Sequence, residues 1–325
     1  MSLLVLKTGL LDSVQDLGRW GYAHLGIHAA GAADPVGLQV ANLLAGNEPG
    51  TAALEMHFPA PVLRFEKAAF FALGGADFHA RLDGMDVPVG TPVHAAAGSK
   101  LVFLRQVRGM RTYLTVRGGF ELDPWLGSFS TDLMAGTGGL QGRALQAGDR
   151  LPFRQTWSDA APSRIFPWRA NVSGLYPSEG MFRFLPGPEH DLLDEASRQR
   201  LETSEWRFGR RANRMGCLAE GSMLALHEKL ELVSSVVLPG TVQLLPGGDM
   251  LILLADCQTT GGYPRIAQVV SADLSGLAQQ RPGEGFRLRK VGLDEATEAG
   301  LEQRRVLGRL GWGAICLLEY SLKKD

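Results

Sequence analysis

Met250-Leu251-Ile252-Leu253-Leu254-Ala255 runs straight into Asp256-Cys257-Gln258-Thr259-Thr260-Gly261-Gly262-Tyr263-Pro264. The first half is a strand-like apolar run. The second places a carboxylate, an amide, two hydroxyls and a phenol after it, with two glycines that let the backbone bend and a ligand approach. A strand ending in such a turn sets hydrogen-bonding groups at the rim of a sheet, where pockets often form. The same residues also make an ordinary tight turn that caps its own carbonyls. Both readings stand on this stretch alone.

Working outward, the pattern repeats along the chain. Strand-like runs occur at 62–65, 68–73, 100–104, 111–116, 181–185, 241–245, 250–255, 266–271 and 286–291, separated by glycines and prolines, of which there are 41 and 17. The N-terminus, Ser2 to Lys7, reads as a first strand and not as a signal peptide. Few helices interrupt. Asp34-Pro35 opens one with a capping carboxylate and Gly46 closes it. Short helices are expected near 191–199 and 273–278, and a longer one capped by Asp294 with the stripe Leu301, Val306, Leu310. A βαβ alternation is missing, so the expected class is mainly β with peripheral helices. The polar stretch from Gln155 to Ser163 divides the chain into 1–155, a linker at 156–176, and 177–325. Leu54-Glu55 before Ala76-Asp77 and Leu230-Glu231 before Ala255-Asp256 hint at duplication of one half in the other.

Composition excludes several classes. A net charge of −1 without a basic stripe gives no footprint for nucleic acid or an anionic membrane. The longest apolar runs fall far short of a bilayer span. Three cysteines, Cys217, Cys257 and Cys316, show no metal-ligand spacing, which fits reduced thiols in a cytoplasmic protein. His24 and His28 lie four apart, but Gly26 between them argues against a helix presenting both to zinc, and no metal site is expected. There is no Gly-x-Ser-x-Gly elbow and no dinucleotide fingerprint.

Three further segments carry chemistry. In Asp12-Ser13-Val14-Gln15-Asp16-Leu17-Gly18-Arg19-Trp20-Gly21-Tyr22, Arg19 either clamps an external carboxylate or phosphate, or pairs with Asp16 or Asp34. The glycine-rich 127–132 and 136–143 present backbone amides that can cradle an anion, without the Gly-Lys-Ser/Thr ending of a P-loop. Asn213-Arg214-Met215-Gly216 supplies another amide and cation.

Together these segments resemble one family. Asp16 to Tyr22, Gly31 to Asp34, Ala41 to Asn47 and Leu54-Glu55 are similar to the opening of the allophanate hydrolase subunit 2 family, also called biotin-dependent carboxyltransferase proteins. Gly118-Gly119, Leu126-Gly127-Ser128, Ser130-Thr131-Asp132, Gly138-Gly139, Gly142-Arg143 and Gly148-Asp149 continue the likeness. Gly187-Pro188-Glu189, Asn213 to Gly216, Gly240-Thr241-Val242-Gln243, Asp256 to Pro264, Ala272-Asp273-Leu274 and Pro282-Gly283 complete it in order, over most of residues 3–291. The resemblance implies two tandem cyclophilin-like β-barrel domains and a partner, subunit 1 of the same system (the B subunit). The lactam-utilisation protein (the A subunit) is a further expected partner.

The implied activity is that of one member of an ATP-dependent 5-oxoprolinase complex, which hydrolyses 5-oxoproline to glutamate. ATP and Mg2+ would be needed by the complex, the chain that binds them being left open. The alternatives are a carboxyltransferase acting with biotin on a separate carrier, and a non-catalytic regulatory partner of subunit 1. On the preferred reading Arg19 and Arg214 contact anions and Asp256 serves as base or orienter. Gln258, Thr259, Thr260, Tyr263 and Asn213 contact the ligand, and Asp34, Asn42 and Glu55 orient that shell. Two departures from the family pattern bear on these roles: Cys217-Leu218-Ala219-Glu220 follows Gly216 where relatives carry an aromatic and an Arg, and Cys257 stands where a basic residue is common.

Overall fold

The computed structural model describes residues 2–322 apart from Thr156, Ala160, Ser173, Ser178, Glu179, Lys229 and Glu231. Glu231, the second acid of the suspected duplication, therefore lies outside the described residues, as do Thr156, Ala160 and Ser173 of the expected linker. The chain forms two compact units. Unit 1 comprises Met1–Arg19, Ala30–Ser173 and Arg305–Asp325; unit 2 comprises Trp20–Ala29 and Gly174–Arg304. These differ from the sequential division at 155 and 177 in two exchanged segments. Trp20–Ala29 groups with the second unit, and the end of the last helix groups with the first.

The mainly-β expectation is met. Unit 1 carries two six-stranded sheets. The first runs in the order Arg150–Pro152, Ser2–Lys7, Val62–Phe65, Lys100–Phe103, Ala80–Leu82, Met85–Val87. The second runs Arg164–Ile165, Pro92–Ala95, Ala69–Asp77, Arg108–Val116, Ala53–His57, Asp12–Gln15. Leu3, Val5, Leu63 and Phe65 from one sheet and Leu54, Phe71, Leu73 and Leu114 from the other share a single apolar core. Hydrogen bonding among the described strands thus closes no ring here; they make a two-sheet sandwich with short edges. One edge is Met85–Val87, where exposed Asp86 takes a hydrogen bond from Arg81, a charged finish that discourages further pairing. The expected linker is strapped to this unit: Arg164 pairs with His94, Asp159 bonds Lys67 and the Ala68 N–H, and Arg169 bonds the Val89 carbonyl.

Unit 2 is a closed seven-stranded barrel in the order Met181–Pro186, Arg265–Val269, Thr241–Leu244, Met250–Leu253, Gly216–Glu220, Trp206–Phe208, Gly285–Lys290. Period-two alternation is plain in the two strands that close it. Phe182 and Phe184 face in while Met181 and Arg183 are half-exposed, and Phe286 and Leu288 face in while Arg287 and Arg289 are exposed. These two strands pair in parallel, Met181 with Arg287 through Phe184 with Lys290.

Helix α1, Pro35–Ala45, begins and ends as expected: the Asp34 carboxylate accepts from Gly37 N–H at 2.8 Å, and Gly46 closes it at φ +76°. It lies on strand Ala69–Asp77 through glycines, since a Cβ at Gly74 would stand 2.1 Å from the Gly37 carbonyl oxygen. Helix α2 is Glu195–Thr203, displaced a few residues toward the C-terminus from the expected 191–199, because Asp194 caps it through Ser197 N–H. Helix α3 is Leu274–Ala278. Helix α4, Leu293–Leu322, corrects two expectations. Asp294 falls inside its first turn and so does not cap it. Its buried positions are Ala296, Leu307, Gly311, Ala314 and Leu318, whereas Leu301 is exposed and Val306 and Leu310 are half-buried. No described helix is long and apolar enough to cross a membrane.

Two outcomes follow for unit 1. Gly74→Ala forces α1 off the sheet and should destabilise by about 1–3 kcal/mol, read from denaturant midpoints. Asp12 is buried, and burial pushes its carboxyl up from 3.8 to about 7 against the opposing bond from Gly9 N–H. A carboxyl held above its unfolded value costs nothing below about pH 4, where both states are protonated, and costs most above pH 7. Stability should therefore fall between pH 4 and pH 7, by up to roughly 4 kcal/mol. Asp12→Asn, which keeps an acceptor for Gly9, should flatten that fall when unfolding is compared at pH 5 and pH 8.

Candidate functional site

In the barrel of unit 2, strand Gly216–Glu220 pairs with Met250–Leu253, Gly216 opposite Leu253. That register sets the residues before Gly216 beside those after Leu253. The ladder continues past the strand ends, Leu254 N–H donating to Met215 O and Asp256 N–H to Arg214 O, each at 2.9 Å. Asn213 Oδ1 accepts from Met215 N–H at 2.8 Å and Gly216 N–H at 3.1 Å, a local turn that fixes where Arg214 points. Arg214 then grips Asp256 in a fork: Nε donates to Oδ2 at 2.6 Å and Nη2 to Oδ1 at 2.9 Å. Both side chains are buried, at 5% and 8% exposure, so each charge depends on the other.

His28, carried by the Trp20–Ala29 segment of the same unit, brings Nε2 to 4.0 Å from Asp256 Oδ1. That separation is too long for a direct hydrogen bond and suits one oxygen atom held between the two groups. In the sequence, local spacing relates His28 only to His24. The short helical turn Ala23–Leu25, ended by Gly26 at φ +76°, does separate the two, as expected. What the spacing could not reveal is the approach of His28 to a carboxylate 228 positions later.

Beyond Asp256 the signature becomes an arm. Thr260–Gly261 pairs with Ser235–Val236, and Thr259 O accepts from Val237 N–H at 3.1 Å. Gln258, Thr260 and Tyr263 are exposed and Thr259 is half-buried. Cys257 turns the other way, into an apolar cluster with Val237 and Leu253. Burial and the neighbouring Asp256 charge push its thiol up to about 12, so it stays protonated and packs as an apolar residue.

The remaining expected residues belong to unit 1 and are engaged there. Arg19 is buried, with its guanidinium 3.5 Å from Asp132, hydrogen-bonded to Ser130 O, and 4.6 Å over the Trp125 ring. It thus forms a buried ion pair with Asp132. Asp16 instead accepts from Ser128 and Ser130 hydroxyls and Phe129 N–H, which fixes the 128–130 turn. Glu55 accepts from Tyr113 OH at 2.7 Å and Ala33 N–H at 2.9 Å, and Tyr113 OH accepts from Asp34 N–H at 2.8 Å. Burial first, and the Glu55 and Asp34 charges after it, hold the Tyr113 phenol well above its ordinary range, so it remains a donor. Asn42 bonds Thr51 O, Pro49 O and the Thr115 hydroxyl.

The glycine segment packs closely on neighbouring chain. Gly139 N–H donates to Phe129 O and Gly142 N–H to Gly138 O. Cβ atoms at Gly138 and Gly139 would collide with Ser130 O and Thr131 Oγ1. These glycines serve close packing of the chain on itself. Arg143 within it pairs with Asp149. Among the described residues no group of three or more His, Cys, Asp or Glu could hold a metal ion.

Removing one member of the Arg214–Asp256 pair strands the other charge in the protein. Arg214→Ala should cost about 3–5 kcal/mol in denaturant unfolding, and adding Asp256→Asn should restore a large part of that loss.

Residues 25–290 match the family described as carboxyltransferase domain, subdomain A and B. The chain is 39% identical over 310 residues to the C subunit of 5-oxoprolinase from Escherichia coli, covering 95% of this chain and 98% of that protein. It is 38% identical over 286 residues to the C subunit of 5-oxoprolinase from Haemophilus influenzae, covering 88% and 90%. Among solved structures, K. lactis urea amidolyase superposes with a TM-score of 0.87 at 26% identity, covering 95% of this chain but 20% of that much longer one. The chain belongs to the carboxyltransferase domain family, subdomains A and B.

Proposed function

We propose that this chain is the C subunit of a 5-oxoprolinase and works with partner proteins in the ATP-dependent opening of 5-oxoproline to glutamate. One observation carries the reading: the match to two proteins that bear this name runs nearly end to end in both directions. A cytoplasmic setting, and the B and A subunits as partners, belong to the same reading.

Opening an unstrained lactam needs an activated carbonyl, an oriented water and an acceptor for its proton. When bound, ATP with Mg2+ would supply the activation by phosphorylating the amide oxygen; after water adds to the carbon, cleavage of the C–N bond with proton uptake by the nitrogen, and loss of the phosphate, would complete the opening. No part of that step is assigned to the 127–143 segment. The water is placed by Asp256 and His28. Its two O–H bonds point at Asp256 Oδ1 and His28 Nε2, which leaves a lone pair for the carbonyl carbon. His28 takes the proton, and the Asp256 carboxylate stabilises the imidazolium that results. Arg214 keeps that carboxylate in place and so positions it, in a role different from the anion contact first expected. Gln258, Thr260 and Tyr263, exposed at the same turn, supply donors for the substrate carboxylate.

A second reading has its own observation, the superposition on K. lactis urea amidolyase. There the same residues would serve carboxyl transfer to or from biotin on a separate carrier.

Glutamate release from 5-oxoproline with ATP and Mg2+ should require this chain when complexes with and without it are compared. Asp256→Asn and His28→Gln in the assembled complex should each lower kcat about tenfold or more. A folded, complete complex that releases no glutamate but transfers carboxyl from carboxybiotin would replace the first reading with the second.

A further inference from the structure

Gln243 stands in strand Thr241–Leu244, whose Val242 and Leu244 side chains belong to the barrel interior. Alternation therefore points Gln243 to the outer face. It is nevertheless completely buried, because the Ser235–Val236 and Thr260–Gly261 arm lies over it: a Cβ at Gly261 would stand 2.5 Å from Gln243 Nε2. Neither Nε2 nor Oε1 has a hydrogen-bond partner among the described residues. The contrast is Gln268, cross-strand from Thr241, whose Oε1 accepts from the Thr241 hydroxyl and whose Nε2 donates to Pro239 O. A buried carboxamide with both ends unanswered is a costly feature that a hydrophobic residue of similar size would avoid. It is accounted for if a ligand supplies the missing partners.

The geometry of the group names the ligand. A primary carboxamide presents a carbonyl oxygen and an N–H side by side on one edge. Its complement is a C=O and an N–H on the same side of one amide bond, an arrangement that trans peptides lack and that a small ring enforces. Leu251, directly across the strand pair from Gln243, packs with Val237, Leu253 and Cys257, an apolar layer suited to ring methylenes. We propose that Gln243 recognises the cis-amide edge of a cyclic amide by two antiparallel hydrogen bonds beneath the Thr260–Gly261 arm, and that this ligand is the 5-oxoproline lactam. The inference rests on the 5-oxoprolinase reading. The arm is joined by two register pairs, Ser235 with Gly261 and Val236 with Thr260, and by the Val237 N–H to Thr259 O bond, and on this proposal it parts to admit the ring.

The test uses the assembled complex with Gln243→Met and, separately, Gly261→Ala, whose methyl group pushes the carboxamide aside from a half-buried position. Each should raise KM for 5-oxoproline about tenfold or more while kcat changes less than about threefold. The melting temperature of Gln243→Met should hold or rise, because an unanswered amide is gone; a purely structural amide would lower it and leave KM alone. Unchanged KM in both variants, in a complex whose wild type releases glutamate, overturns the proposal and leaves the 5-oxoprolinase reading intact. Calorimetry with 2-imidazolidinone, which carries the same edge as the ureido ring of biotin, separates the two sources. Binding of that compound alone, lost in Gln243→Met, overturns the lactam assignment and gives the edge to a cyclic urea. A wild-type complex that binds neither compound overturns the proposal.

Discussion

The buried fork between Arg214 and Asp256 is the constraint on which the working end of unit 2 depends. Neither charge is stable there alone, and a bidentate geometry tolerates little displacement. The register of Gly216–Glu220 against Met250–Leu253 must therefore be held, and the two backbone bonds that extend the ladder past the strand ends hold it. Once Asp256 is fixed, the chain beyond it can leave the barrel as an arm, with Cys257 packed beneath and Gln258, Thr260 and Tyr263 outside. His28 then meets a carboxylate whose orientation is already decided.

Unit 1 uses the same physics to a different end. Arg19 with Asp132, Asp16 with the 128–130 turn, and Glu55 with Tyr113 are buried polar groups whose described partners all come from the chain itself. Such networks specify how loops lie against a sandwich. Unit 2 differs in two places. Its buried carboxylate has a histidine at 4.0 Å, the span of one intervening oxygen, and its buried Gln243 has no described partner at either end. Internal packing alone does not explain the second of these.

Much of the fold was legible in the chain. The apolar runs at 62–65, 241–245 and 250–255 are strands within a residue or two, and Asp34, Pro35 and Gly46 bound α1 as their capping chemistry requires. The Asp256 signature was legible as a site because it concentrates polar groups behind a strand. Less legible were Arg19 and the glycines at 138, 139 and 142. A cation or a glycine in a loop looks the same whether it meets a ligand or its own backbone. Helix α4 shows a related effect: hydrophobicity marks Leu301, Val306 and Leu310, whereas the buried face follows Ala296, Leu307, Gly311, Ala314 and Leu318, small and large residues selected by what they pack against.

By itself, then, the amino-acid order determined the elements, because caps, alternation and turn chemistry act over a few neighbouring residues. It also determined family membership, through motifs kept in sequence and spacing. Only the tertiary structure decided which charges are satisfied. The pairing of Arg214 with Asp256, the approach of His28, the partner of Arg19 and the burial of Gln243 all join residues far apart in the chain. Each is set by strand register and burial, and neither quantity is written in any local stretch.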